Sequence, residues 1–280
     1  MSKKNLCKLI IIQILLVILA FTSSSKASRF NMSFLYGNYD YVNLVTRTGN
    51  ALNEVSPSYF DLYDSGNLKL NTVDKNFVNE MHKQGVKVVP FLSNHWDREK
   101  GRNALNNIEN LANQIVEAIK KYNLDGVHVD IENVTEKDKN NYTLLVKTLR
   151  QKLGTEKTVA VAVAANPYNW QTGWHGSYDY TDLAEYADYL MIMTYDEHYE
   201  SGEAGPVASI GFVEKSIQYA LTKVNAEKVV LGIPFFGRYW PDSSYYGGYG
   251  VSLTRIETLL SKYKNVITYD EKTQSVKAVI

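Results

Sequence analysis

The sequence predicts an α/β fold in which a parallel sheet is wrapped by crossover helices. Three observations carry that expectation. Short apolar, β-branched runs alternate with longer segments of helical periodicity along most of the chain, and such alternation builds parallel sheets. The run 158–165 is an almost unbroken series of valine and alanine, the pattern of a strand buried on both faces. The run 124–132, Leu-Asp-Gly-Val-His-Val-Asp-Ile-Glu, reads as a strand whose polar residues gather at its C-terminal end. Parallel α/β barrels carry their chemistry at that end of their strands.

The first 27 residues read as a secretory leader. Lys3, Lys4 and Lys8 supply a basic start, the run 9–21 is apolar except for Gln13, and Ser25-Lys26-Ala27 fits a cleavage site before Ser28. The apolar run is short for a membrane span, which takes about 20 residues, so an uncleaved anchor is the secondary reading. Cys7 is the single cysteine and falls inside the leader. The processed chain then has neither a disulfide nor a thiol nucleophile.

Residues 32–36 read as a first strand and 55–62 as a weaker second one. A helix follows over 73–84, with Phe77, Val78 and Met81 on one side. Strand three spans 87–92 and runs into Ser93-Asn94-His95-Trp96. Leu105, Ile108, Leu111, Ile115 and Ile119 recur every three or four residues, which draws one apolar stripe and predicts a core-facing helix over 103–122. Strand four is the run 124–132. A helix over 137–153 turns Tyr142, Leu145, Val146 and Leu149 inward. Strand five is 158–165, a short helix 180–187, strand six 189–195, a further helix 212–224 and strand seven 228–235. Beyond Arg238 the composition changes. Residues 241–251 are rich in Tyr, Gly and Ser, 254–263 read as helical, and 266–280 as a β-hairpin turning around Asp270-Glu271-Lys272-Thr273.

Side chains alternate across a strand. In strand four Val127, Val129 and Ile131 share one face, and His128, Asp130 and Glu132 share the other. The Cα atoms of Asp130 and Glu132 are then roughly 6.6 Å apart. Two carboxyls at that range perturb each other, so that one keeps its proton near neutral pH while the other is ionised. An acid catalyst at a glycosidic bond requires that arrangement. A formal net charge of zero offers no basic patch for nucleic acid. Five scattered histidines have no metal-ligand spacing. Without a phosphate-cradling glycine loop or a serine nucleophile elbow, no cofactor is expected. The 21 tyrosines and four tryptophans supply planar rings that suit sugar faces.

The segment Asp125-Gly126-Val127-x-Val129-Asp130-Ile131-Glu132 resembles the signature of glycoside hydrolase family 18, which holds chitinases and related N-acetylglucosaminidases. Two later segments extend the likeness: Met191-Ile192-Met193-Thr194-Tyr195-Asp196-Glu197-His198 and Leu231-Gly232-Ile233-Pro234-Phe235-Phe236-Gly237-Arg238. The first of these, with Gly205-Pro206-Val207-Ala208-Ser209 after it, is most similar to the bacterial spore-cortex and cell-wall branch. The resemblance runs from about residue 32 to the end and implies a TIM (β/α)8-type barrel with a small α+β insertion after strand seven. The domains expected are a signal peptide over 1–27, the barrel over 28–238 and an incomplete insertion subdomain over 239–280. No eighth strand is legible, so the barrel is expected to be truncated after strand seven. The chain is then a fragment, a defective paralogue, or a protein in which another segment closes the gap.

The resemblance also implies roles. Glu132 is the general acid and later the base. Asp130 orients the 2-acetamido group of the sugar, whose own carbonyl oxygen attacks the anomeric carbon, and Tyr195 donates a hydrogen bond to that carbonyl. Substrate-binding residues expected are His128, Met193, Asp196, Arg238, Asn94 and Trp96. His128 stands where relatives carry Asp or Asn, and it either holds Asp130 and makes activity pH-dependent or fills a polar layer of the barrel. Arg238 binds sugar hydroxyls or a peptidoglycan carboxylate, or forms a salt bridge to the insertion. Tyr168, Trp170 and Trp240 follow strands five and seven and either stack on sugars or pack. The function expected is an exported glycosidase for β-1,4-linked N-acetylglucosamine glycan, peptidoglycan of the spore cortex before chitin, placed outside the cell or at the wall or spore surface. The alternative is a non-catalytic glycan-binding relative or an inactive truncated paralogue.

Overall fold

The computed structural model describes residues 29–37, 39–241 and 247–280. The expected leader, with Cys7, lies outside them. The chain divides into a unit ending at Asn31 and a unit from Met32 to Ile280. The second unit carries all the secondary structure of the described residues. None of its helices is long and apolar enough to cross a membrane.

Parallel strands follow one another in chain order. β1 (Met32–Leu35) pairs with β2 (Glu54–Pro57), and β2 pairs with β5 (Lys87–Val88). β3 (Phe60–Leu62) carries the line of β2 onward and pairs with β6 (Phe91–Ser93), which continues β5. β7 (Gly126–Asp130), β8 (Thr158–Ala164), β9 (Tyr189–Met193) and β10 (Val229–Leu231) are then added one by one. The second and third strands, expected as unbroken runs, are each split in two. Pro57 closes β2 and Pro90 separates β5 from β6, and a proline has no N–H for the ladder. A short β4 (Leu68–Leu70) runs antiparallel to β3 at the rim. Among the described residues β10 pairs only with β9 and β1 only with β2. Beyond β10, Phe235 is 77% exposed.

Helices cover the outside: α1 (Tyr41–Thr46), α2 (Lys75–Lys83), α3 (Arg98–Leu105), α4 (Ile108–Tyr122), α5 (Lys139–Leu153), α6 (Gly173–Gly176), α7 (Tyr180–Tyr186) and α8 (Ile210–Leu221). Several of their starts are capped by side chains: Asp74 accepts from the Phe77 N–H, Asp97 from Lys100 and Ser209 from Phe212. The single helix expected over 103–122 is two helices, broken at Asn106-Asn107. The Asn107 and Asn110 amides donate to Asn67 Oδ1 at 2.9 and 2.6 Å. The break thus tethers the loop before β4. Asparagine favours such breaks because its side chain competes with the helix backbone.

The core has two layers. Outside the sheet, Val127, Val129 and Ile131 pack with Leu111, Ile115, Tyr142, Leu145 and Leu149. Each such side chain stabilises the fold by about 1.5–3 kcal/mol. Inside the barrel lies a second cluster of Ala160, Ala162, Tyr189, Met191 and Met193, with Phe34, Tyr195, Val230 and Trp174 against it. The small alanines of β8 leave room for the rings. After β10 come the antiparallel pair β11 (Phe236–Tyr239) and β12 (Tyr249–Ser252), α9 (Leu253–Lys262), and the hairpin β13 (Val266–Asp270) and β14 (Ser275–Val279). These are the helix and hairpin expected there. The Asp270 carboxylate accepts from the Lys272 and Thr273 N–H groups at the turn.

Candidate active site

Strand β7 stops pairing at Asp130, which leaves the backbone polar groups of Ile131 and Glu132 to find other partners. Three side chains supply them. The Ile131 N–H donates to Tyr142 Oη at 3.2 Å, and the Tyr178 hydroxyl donates to the Ile131 carbonyl at 3.1 Å. The Asn94 amide takes Glu132 from both sides: Nδ2 donates to its carbonyl and Oδ1 accepts from its N–H, each at 2.8 Å. Asn133 then turns the chain at φ 59 and is held by Arg98 Nε on its carbonyl at 2.7 Å. At the other end of β7, a Cβ on Gly126 would lie 2.0 Å from the Thr158 carbonyl oxygen. Only glycine lets β7 and β8 approach there.

The carboxyls at this strand end are held toward their neutral forms. Burial raises Glu132, and the charges of Asp130 and Asp196 raise it further. Burial raises Asp130, and only His95 acts in the opposite sense. Asp130 Oδ1 is sealed from solvent and has no hydrogen-bond partner among the described residues. Tyr195 completes the group. Burial, then the charges of Asp130, Glu132 and Asp196, keep its phenol protonated, so it is a hydrogen-bond donor. Its ring is backed by Gly232, where a Cβ would sit 2.8 Å from Tyr195 Cε1, and by Phe236 edge-on at 6.0 Å.

The remaining expected residues divide. Trp96 is half exposed beside the mouth, edge-on to Trp174 at 4.8 Å. Met193 lies in the inner cluster beside Tyr195. Asn94 is fully buried and its amide is spent on backbone, so it holds Glu132 rather than sugar. His128 is not at the mouth. It is fully buried within the barrel, against Phe34 at 4.9 Å and edge-on to Tyr189 at 5.7 Å. Neither ring nitrogen has a hydrogen-bond partner among the described residues, and burial pushes the imidazole down to about 3. It is therefore neutral, and of its two expected roles the filling of a barrel layer fits. Asp196 and Arg238 take up each other: Nε and Nη2 donate to the two carboxylate oxygens at 2.7 Å each, and Nη1 donates to the Gly248 carbonyl. For Arg238 the salt-bridge reading fits. Trp240 donates to the Gly202 carbonyl at 2.9 Å and packs. Glu197 accepts from the Ser209 N–H, and His198 Nδ1 lies 2.9 Å from the Pro206 carbonyl. The segments most similar to the spore-cortex branch thus lock one loop to the start of α8.

Sequence reasoning missed several residues. Tyr142 was read only as core, and Tyr178 was not singled out; their hydroxyls carry the backbone between the two carboxyls. Trp174 donates to Tyr178 Oη at 2.8 Å and joins a row of rings. Tyr168 to Trp170 spans 5.0 Å, Trp170 to His175 4.4 Å, and His175 to Trp174 5.3 Å. Crowding of aromatics over 168–178 is the signal that was available. His95 and Asp61 meet from 34 positions apart, and no local spacing announces them. Among the described residues no group of three or more His, Cys, Asp or Glu side chains is placed to hold a metal ion.

Asp130, Glu132 and Tyr195 thus meet at the C-terminal end of one strand of a parallel α/β barrel, the end at which such barrels carry their chemistry. Residues 13–278 match the profile described as glycosyl hydrolases family 18, and the chain belongs to that family. It is 24% identical over 98% of its length to the "Uncharacterized glycosylase YvbX" of Bacillus subtilis, of which the match covers 83%. To the "Cortical fragment-lytic enzyme" of the same organism it is 30% identical over 67% of its length, and the match spans 46% of that relative. Among solved structures, the chitinase from Chromobacterium violaceum superimposes with a TM-score of 0.78 at 23% identity, over 88% of this chain and 80% of that one. That likeness establishes the TIM-barrel type of fold.

Proposed function

We propose that the chain is an exported glycosidase that cleaves β-1,4-linked N-acetylglucosamine glycan with retention of anomeric configuration. The observation that carries the reading is the pairing of Glu132 and Asp130 beside Tyr195, with burial and mutual charge holding a proton on Glu132. Glu132 donates that proton to the leaving glycosidic oxygen. The acetamido carbonyl oxygen of the sugar attacks the anomeric carbon as the bond to the leaving group breaks. Asp130 stabilises the positive charge of the oxazolinium ion, and the Tyr195 hydroxyl donates to the acetamido oxygen. Glu132, now ionised, takes a proton from water as the water opens the ring. The row from Tyr168 through Trp170 and Trp174 to Trp96 offers a track for further sugars, since Trp170 is 42% exposed.

Peptidoglycan of the spore cortex is favoured over chitin by the likeness to the cortical fragment-lytic enzyme of Bacillus subtilis and by the segment Tyr195-Asp196-Glu197-His198. Export is supported by the basic, apolar and small-residue order of positions 1–27. The test is incubation of the purified chain with muropeptides and with chito-oligosaccharides, alongside Glu132→Gln. Release of reducing ends that the variant lowers at least ~10³-fold is expected; activity that survives the substitution overturns the reading. A second reading, glycan binding without turnover, is favoured by the strand edges of β1 and β10, which no described strand joins. Retention of glycan without product in the same incubations supports it.

A further inference from the structure

His95 lies one residue beyond Asn94 and one before Trp96, and both His95 and Trp96 take left-handed backbone, φ 49 and 64. Two consecutive left-handed residues with side chains cost about 1–3 kcal/mol each and persist only where their surroundings impose them. Here the surroundings are plain. The His95 N–H donates to Ser93 Oγ at 3.0 Å, Asn133 Nδ2 donates to the Trp96 carbonyl, and His95 Nε2 is bonded to Asp61 Oδ1. Ser93 is the register partner of both Asp61 and Asp130. Parallel partners point their side chains to the same side, so Asp61, Ser93 and Asp130 form one row across three strand ends. His95 is folded back over that row.

The geometry points to His95 as the positioning residue of Asp130: clamped by Asp61, its ring stands over the row of strand ends that Asp130 closes and favours the carboxylate form there. The inference deepens the reading of Asp130 given above and takes its catalytic meaning from it. Every other group facing Asp130 opposes or ignores its charge. Glu132 is a second carboxyl on the same strand end, Tyr142, Tyr178 and Tyr195 are neutral phenols from three other segments, and His128 below is neutral in its apolar pocket. Facing His95 are Asp61, on whose second oxygen Asn71 donates at 3.2 Å and Lys69 lies at 3.6 Å, and Asp130. The His95 ring is 44% exposed, against 10% for the Asp61 side chain.

The test titrates the Asp130 carboxyl carbon by NMR, assigned through Asp130→Asn, in the parent chain, in His95→Asn and in Asp61→Asn. Asparagine tolerates left-handed backbone, so the turn is kept. In His95→Asn the midpoint should rise by roughly one pH unit, a tenfold gain in proton affinity, with a smaller rise in Asp61→Asn. Superimposable titrations in all three overturn the inference. The NMR reading needs no turnover, so a chain that cleaves no glycan still decides it. If the chain is active, the acid limb of kcat/KM should move with the NMR midpoint in His95→Asn while KM stays near the parent value.

Discussion

Buried residues in this barrel carry their charges, or their lack of charge, by placement. His128 is the clearest case. Its imidazole is enclosed by Phe34 and Tyr189, and its two nitrogens find no partner among the described residues. A buried polar group in that state costs about 1–3 kcal/mol. His128→Leu should therefore raise the stability of the folded chain near pH 5, by about 1–2 kcal/mol after the misfit of its branched shape is allowed for. The sign follows from its depressed folded value. Beyond that pH-independent cost, proton linkage adds nothing above its unfolded value of 6.5 and destabilises progressively as pH falls toward about 3. Thermal unfolding at pH 7 and at pH 5 checks it, and the variant should lose less between the two than the parent. Glu54 has the opposite sign. It is buried, bonded to the Tyr189 hydroxyl, and raised from 4.5 to about 7 mainly by burial, with Lys87 acting against the rise. Its stabilising effect is full below about pH 4.5 and is lost as pH climbs through 7. The slope is at most about 1.4 kcal/mol per pH unit, and Glu54→Gln should flatten it in the same melts.

At the scale of elements, β7 depends on both of its ends. Gly126→Ala places a methyl against the Thr158 carbonyl and should lower stability by about 2–4 kcal/mol, read as a fall in Tm with near-parent urea m-value. Asn94→Ala releases both backbone groups of Glu132 at once. It should reduce glycan turnover tenfold or more with a smaller loss of stability, measured by kcat against Tm on the same preparation. Much of this element order was legible. Strands at 32–36, 124–132, 158–165 and 189–195 each have a counterpart because their apolar alternation is a local property. The splits at Pro57 and Pro90 were visible as prolines yet were read through, since β-branched neighbours outweighed them. The grouping of the candidate residues was legible where they lie along one strand, Asp130 and Glu132, or at a familiar motif, Tyr195. It was not legible where partners come from elsewhere in the chain. Asn94 was taken for a sugar ligand and Asp196 with Arg238 for two separate contacts, because sequence spacing does not reveal which polar groups satisfy one another.

At the scale of the whole molecule, the barrel interior is stacked in tiers along its axis. Glu54 and Tyr189 form a lower tier, His128 with Phe34 a middle one, and Asp130, Tyr195 and Glu132 an upper one. The outer aromatic row then extends the upper tier toward solvent. Trp170→Ala should weaken binding of long oligosaccharides about tenfold while leaving a disaccharide-length substrate nearly unaffected, which competition with oligomers of increasing length will measure. The middle tier has one further consequence. Among the described residues neither ring nitrogen of His128 is hydrogen-bonded, so no chain of hydrogen bonds runs through it between the two acidic ends of the same tube. A proton taken up at the mouth is thereby exchanged at that end and not relayed from Glu54 through the middle of the barrel.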